Sequence, residues 1–370
     1  MGKWQSTLEN LEVKQSFWKN KKVFLTGHTG FKGGWLSLWL QYLGADLTGY
    51  ALAPPTKPSL FELANVKNGM RSIIGDVRDL VRLKKSFIES KAEILIHMAA
   101  QPLVRYSYLN PVETYSTNVM GTVNVLEVAR KNSKIKAILI VTSDKCYENK
   151  EINRGYKEHE PMGGFDPYSN SKGCSELVVS AYRNSFFNVK KYKEHGVGLA
   201  TGRAGNVIGG GDWADDRLIP DIIKAFIKKK PLIIRNPRAI RPWQYVLEPL
   251  RGYLMLAEKI YKNGSSFSES FNFGPEKKDA KPVKWIVNAL AKLWENNVSW
   301  SLDKSINPQE ANYLKLDITK AKIKLKWKPY CSLNAALVEI VDWYQFCLKN
   351  DFNKIQIQNK CFEQIKKHSI

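Results

Sequence analysis

Apolar residues in the first two hundred positions follow two recurring patterns: short runs rich in branched and aromatic side chains, and longer stretches where they return every three or four residues. The first is the pattern of a strand and the second that of a helix with a buried face. Val23-Phe24-Leu25-Thr26 opens the series and passes, through a turn with glycine at 27, 30 and 33, into an apolar run over 35–43. Strands are predicted again at 46–52, 72–76, 94–97, 137–142 and 196–201, and helices over 111–130 and 168–192. Such alternation predicts an α/β fold, a doubly wound parallel sheet with right-handed crossovers.

Beyond Arg203 the alternation lapses into loops at 205–212 and 236–242, with helices predicted over 221–229, 246–261, 284–295 and 333–348. The division expected is a dinucleotide-binding domain mainly over 1–203 and a smaller substrate-binding lobe mainly over 204–350, interleaved with the sheet domain. The polar segment 351–370 reads as a disordered tail.

The turn Gly27-His28-Thr29-Gly30-Phe31-Lys32-Gly33 has the spacing at which a backbone can bend sharply and approach a ligand with no Cβ in the way. The helix after it aims free N–H groups and a positive dipole end at the same point. A loop that merely needs glycine is the bland alternative, but the position after a strand, near the start of a βαβ series, favours a dinucleotide and a Rossmann-like domain. Asp76, ending the third strand, suits an adenine amino group, and the small residues of 98–102 admit a cofactor. The second strand ends on Tyr50-Ala51-Leu52, where an acid would grip the ribose of NAD, so NAD is expected with that one feature missing.

With 370 residues and 44% hydrophobic composition the chain can bury a large core. Its net charge of +22 comes from scattered lysines with no nucleic-acid module, which argues for a solvated surface and against a nucleic-acid partner. No apolar run reaches the length of a membrane span, and 1–15 lacks the apolar core of a secretion signal, so a cytoplasmic protein without a membrane partner is expected. Five cysteines form no CxxC pair and read as reduced thiols, and no metal site is expected.

Tyr168 and Lys172 are four apart on a predicted helix and share a face, so the ammonium is expected to favour the phenolate. Ser143 ends the preceding strand at the same sheet edge as the glycine turn. Asn118, inside the helix 111–130, reads either as a site residue or as a satisfied core amide. Asp144 and Lys145, directly after Ser143, supply an acid and a base of the kind an elimination requires, or else a loop salt bridge. Arg217, Arg235 and Arg241 are candidates for a diphosphate, with surface charge as the alternative.

The set Thr26-Gly27-x-x-Gly30-x-x-Gly33, Asn118, Ser143 and Tyr168-x-x-x-Lys172 resembles the extended short-chain dehydrogenase/reductase family to about residue 348. The runs 27–33, 97–102, 142–149 and 238–244 are similar to its CDP-glucose 4,6-dehydratase branch. The resemblance implies tightly held NAD, a nucleotide-sugar substrate such as CDP-glucose, and a homodimer or dimer of dimers formed through the helices 111–130 and 168–192. It implies catalytic roles for Ser143, Asp144, Lys145, Tyr168 and Lys172. It implies cofactor contacts at 27–33, Asp76, Val77, Ala99, Ala100, Gln101, Asn118, Tyr168 and Lys172, and substrate contacts at Gln101, Asn206, Arg217, Leu218, Arg235, Arg241, Asn272 and Tyr313. Lysine at 145 stands where the wider 4,6-dehydratase group has glutamate, and as a base it must be kept neutral. A nucleotide-sugar 4-epimerase or reductase is the competing enzyme. A non-enzymatic NAD(P) sensor is disfavoured, because such sensors usually lose the tyrosine or the lysine.

Overall fold

The computed structural model describes residues 13–295, 299–303 and 314–369. Seven parallel strands form the central sheet: β1 (Lys22–Thr26), β2 (Asp46–Ala51), β3 (Arg71–Ile74), β4 (Ile94–His97), β5 (Ala137–Val141), β6 (Gly198–Ala204) and β7 (Ser270–Phe273). Their order is β7-β6-β5-β4-β1-β2-β3. The order reverses beside β1, between β4 and β2, and a crevice at the carboxyl ends of the strands opens at that switch point.

Alternate residues of one strand feed two different cores. Val23, Leu25, Ile94, Ile96, Leu139 and Ala200 pack on one face, while Phe24, Leu95, Ile138, Ile140 and Leu199 pack on the other. Both faces are covered, so the strands read as continuous apolar runs rather than as alternating ones.

Helix α1 (Phe31–Tyr42) follows the glycine turn and is buried nearly all round, with Trp35, Leu36, Leu38, Trp39 and Leu40 fully enclosed. Further helices in the first part are α2 (Leu80–Ser90), α3 (Val104–Leu109), α4 (Pro111–Tyr115), α5 (Gly121–Arg130) and α6 (Pro167–Ser185). In the second part α7 (Leu218–Lys228), α8 (Leu247–Lys262), α9 (Val283–Trp294) and α10 (Leu333–Lys349) lie close to the expected positions. β7, from the second part, extends the sheet of the first by pairing with β6.

The expected disordered tail is instead α11 (Lys354–His368). The side chain of Asn353 caps it by accepting from the N–H groups of Ile355 and Gln356. Ile357, Cys361, Gln364 and Ile365 form a buried stripe that packs on α1, α8 and α10. The spacing of those residues was the available signal, and the polar remainder of the segment concealed it.

Candidate active site

Thr26, the last residue of β1, organises the sheet edge. Its Oγ1 accepts from the N–H groups of Met98 and Ala99 at 3.1 Å each and lies 2.7 Å from His97 Nδ1. With two amides on the oxygen, its hydrogen goes to Nδ1, which leaves His97 protonated at Nε2 and facing Thr122 Oγ1 at 3.4 Å. Burial and the Lys172 cation push His97 down to about 3, so the ring is neutral.

The three glycines of the turn divide by role. Gly27 has φ +80°, and a Cβ there would stand 2.7 Å from the Ala99 nitrogen; one on Gly33 would stand 2.0 Å from the Gly27 oxygen. Both are demanded by packing within the protein. Gly30 is not: its Cβ would meet nothing closer than 3.5 Å, so the bare backbone there faces room. A tight turn, an open cradle and a close helix–strand contact are what a dinucleotide diphosphate requires, and these residues fit one.

Around the turn, Thr29 donates to the Leu52 oxygen at 2.9 Å. The His28 ring turns inward, edge-on to Phe61 and 2.7 Å from Ser72 Oγ, and burial pulls it down to about 4. Phe31 lies beside Gly209. Lys32 Nζ donates to the Tyr253 hydroxyl at 3.2 Å. Burial, then the charges of Lys172 and Arg217, lower Lys32 to about 7 against the opposing pull of Asp144.

Tyr50, standing where an acid was sought, stacks on Phe24 and donates to the main-chain oxygen of Asp76 at 2.9 Å. It ties the ends of β2 and β3 together. The Asp76 carboxylate is gripped by Arg78 at 2.6 Å, which holds it below the usual range. Val77 is buried against Gly121.

Between α4 and α5 the helix widens into a π turn, Ser116–Met120, that carries Asn118. Its Oδ1 accepts from Gln101 N at 2.8 Å, and its Nδ2 donates to the Gln101 oxygen at 3.0 Å and to Ser171 Oγ at 2.8 Å. The Asn118 amide thus clamps the 98–102 turn to α6. The Gln101 side chain is likewise committed to its own loop, donating to Leu103 O and Thr114 Oγ1 while accepting from Leu103 N. Ala99 and Ala100 remain half-buried at the edge.

Ser143, Asp144 and Tyr168 form one contact group. Ser143 Oγ donates to Asp144 Oδ1 at 2.9 Å, accepts from Lys145 N at 3.2 Å and is hydrogen-bonded to the Tyr168 phenol. Asp144 is 2% exposed, and its Oδ2 has no hydrogen-bond partner. A Cβ at Gly205 would overlap this carboxylate, so glycine is required there. Lys145 is half-buried. The expected lowering of Tyr168 by Lys172 is not what the chain by itself shows. Burial raises the phenol to about 12, with Ser143 acting to lower it. Burial also lowers Lys172 to about 8, opposed by Glu176 one helical turn away.

Several residues went unrecognised in the sequence. Ser107 Oγ accepts from Tyr168 N at 3.1 Å and fixes the start of α6. Glu176 pairs with Arg203 at 2.8 Å, both side chains at most 4% exposed, and accepts from Thr142 and Thr201. Only the i, i+4 spacing of Lys172 and Glu176 hinted at this. Removing one partner of such a buried pair typically costs about 3–5 kcal/mol.

The candidate substrate residues separate. Arg217 donates to Asp212 at 3.0 Å, and its charge reaches the Tyr168 phenol. Leu218 opens α7 beside it. Arg235 pairs with Asp216, and Arg241 lies in a short strand, Ile240–Pro242, that is antiparallel to Ala280–Pro282. Asn206 has φ +50° and offers its oxygen to Gln244 N. Asn272 is not at the cleft surface: it is 0% exposed, accepts from Tyr147 and donates to the Tyr156 and Asp317 oxygens. A carboxamide with its donors and acceptor used internally orders the 147–156 loop instead. Tyr313 lies outside the described residues. Among the described residues no group of three or more His, Cys, Asp or Glu could hold a metal ion, and no helix is long and apolar enough to cross a membrane.

A family model described as GDP-mannose 4,6 dehydratase matches residues 24–340. A CDP-glucose 4,6-dehydratase of Salmonella typhimurium is 57% identical over 339 residues, 92% of this chain and 94% of its own. A probable dTDP-glucose 4,6-dehydratase of Sinorhizobium fredii is 26% identical, over 87% of this chain and 92% of its own. Among solved structures, a double mutant of a dTDP-glucose 4,6-dehydratase from Streptomyces venezuelae with NAD bound has a TM-score of 0.74 at 19% identity, covering 90% of this chain and 99% of its own. A UDP-glucose 4-epimerase from Thermotoga maritima with UDP-glucose has a TM-score of 0.74 at 20% identity, covering 88% and 99%. At such identities the solved structures speak for the fold alone.

Proposed function

The chain belongs to the GDP-mannose 4,6 dehydratase family, and from that premise we propose that it is an NAD-dependent lyase converting CDP-glucose to the 4-keto-6-deoxy sugar nucleotide. The substrate reading is supported by the 57% identity to a CDP-glucose 4,6-dehydratase along nearly the whole chain.

The glycine turn would hold NAD, which when bound would supply the acceptor for the C4 hydride and later its donor to C6. The chain's residues handle protons. Tyr168 takes the proton of the C4 hydroxyl as the phenolate, which a bound nicotinamide cation would favour against burial, with Ser143 bonded to the phenol and Lys172 on the same helix face. The C4 carbonyl then acidifies the C5 hydrogen, which Lys145 is placed to remove. Asp144 protonates the C6 hydroxyl as it leaves.

One observation carries dehydration over epimerisation. An epimerase rotates a keto sugar and needs no acid beside Ser143, yet here a buried carboxyl group shares the Ser143 hydroxyl and keeps Oδ2 without a protein partner, where a sugar hydroxyl could bind and take up its proton. Incubation with CDP-, UDP-, dTDP- and GDP-glucose tests the reading. A 4-keto-6-deoxy product, formed fastest from CDP-glucose, is expected; a C4 epimer without loss of water contradicts it.

The two-part division at about residue 203 belongs to the same reading, with 204–350 mainly receiving the sugar nucleotide and the helix Lys354–His368 packing against α1 of the first part and α8 and α10 of the second. A homodimer through the α4–α5 and α6 helices is supported by exposed apolar side chains there, Val112, Met120 and Leu177. A cytoplasmic location accords with five cysteines left as free thiols.

A further inference from the structure

Two arginines from different parts of the chain converge on one partly exposed carboxylate. Asp216 accepts from Nη1 of Arg105, on α3, at 2.8 Å. Nη1 of Arg235 stands 3.6 Å from the same oxygen, and its Nη2 donates to the Asp216 main-chain oxygen at 3.1 Å. The next residue, Arg217, turns inward to Asp212 and towards the Tyr168 phenol. Guanidinium groups thus lead from the surface to the catalytic cluster.

Three features distinguish Asp216 from a structural anchor. The side chains of Arg105, Asp216 and Arg235 are 39%, 39% and 29% exposed, so an anion arriving from water can exchange with the carboxylate. The buried Glu176–Arg203 pair has no such freedom. Asp216 also holds a left-handed backbone, φ +61°, which sets its carboxylate between the arginines. Beyond it α7 begins with no side chain capping its first N–H groups, leaving the positive end of an eleven-residue helix beside the arginines.

We propose that Arg105 and Arg235 close from the two parts of the chain on the diphosphate of the sugar nucleotide, and that Asp216 occupies the place of that diphosphate until it binds. The proposal rests on the nucleotide-sugar reading and adds to it a phosphate contact from the dinucleotide-binding part. Two guanidinium forks match the oxygens of a diphosphate better than those of one carboxylate, so the exchange favours ligand. It also joins the parts through the substrate.

Calorimetric titration of the NAD-loaded protein with cytidine, CMP, CDP and CDP-glucose tests this. Arg105→Gln should weaken CDP and CDP-glucose at least tenfold and leave cytidine unchanged. Asp216→Asn should tighten CDP severalfold, because it removes a competing anion, whereas loss of a purely structural latch would weaken it. Wild-type affinity for CDP in Arg105→Gln, or unchanged or weaker binding in Asp216→Asn, overturns the proposal alone. Failure of the wild-type protein to bind either CDP or CDP-glucose overturns the CDP-glucose reading, and the proposal with it.

Discussion

The Ser143 hydroxyl donates to one oxygen of Asp144 at 2.9 Å and leaves the other buried without a partner. A buried carboxyl group so held is oriented by one hydrogen bond and has its other oxygen open to a sugar hydroxyl. Asp144→Asn should therefore still oxidise C4 but slow water loss by ~10²–10⁴-fold, since an amide cannot supply the proton. Single-turnover experiments should show reduced nicotinamide and a 4-keto-glucose accumulating together. Lys145→Ala should stop one step away, at C5, read as lost exchange of the C5 hydrogen with deuterated solvent. Wild-type rates in both variants would make the pair structural.

Tyr168→Phe removes a single hydroxyl from a side chain whose backbone is fixed by Ser107. Oxidation at C4 should fall by at least ~10²-fold while the thermal transition and NAD affinity stay near those of the wild-type protein. Unchanged turnover would place the base elsewhere.

The unequal packing of the three glycines predicts unequal effects. Gly33→Ala drives a Cβ to 2.0 Å from a backbone oxygen, and Gly27→Ala adds left-handed strain to a 2.7 Å clash, so each should destabilise the fold by about 3 kcal/mol. Gly30→Ala meets nothing nearer than 3.5 Å and should fold normally yet bind NAD more weakly. Denaturant melts and an NAD titration of the three variants separate the cases, and a Gly30→Ala protein with wild-type affinity would remove the cradle.

Lys32 is lowered by burial to about 7, so its charged form is penalised in the folded state. Between that value and the unfolded lysine range near ~10.4 the unfolded chain binds the extra proton, and stability rises with pH. Lys32→Met should therefore stabilise the nucleotide-free protein most below pH ~7, with the advantage shrinking by at most about 1.4 kcal/mol per pH unit as the pH rises towards ~10.4. Melting curves across that range check the sign. An advantage that grows with pH would show that the amine is held charged.

The parallel sheet was legible because its central strands are buried on both faces, which leaves an apolar run that local composition reveals. The glycine turn, Ser143-Asp144-Lys145 and Tyr168-x-x-x-Lys172 were legible because each is a short-range pattern tied to a strand end or a helix face. α11 was missed since its buried stripe is four residues in a polar segment, and its partner surface on α1 lies more than three hundred residues away. Arg105 gave no signal either, because its carboxylate comes from residue 216.

The sequence by itself determined the strand and helix series, the glycine turn at one sheet edge, and the presence of an acid and a lysine directly after Ser143. Tertiary structure alone decided what those groups experience. Tyr168 and Lys172 are shifted first by burial rather than by each other, Asn118 and Asn272 spend their amides inside the protein, and Asp144 keeps one oxygen bare against Gly205. Spacing along a chain fixes which side chains share an element. Desolvation and hydrogen-bond saturation depend on what packs against that element from distant sequence, and no local pattern encodes them.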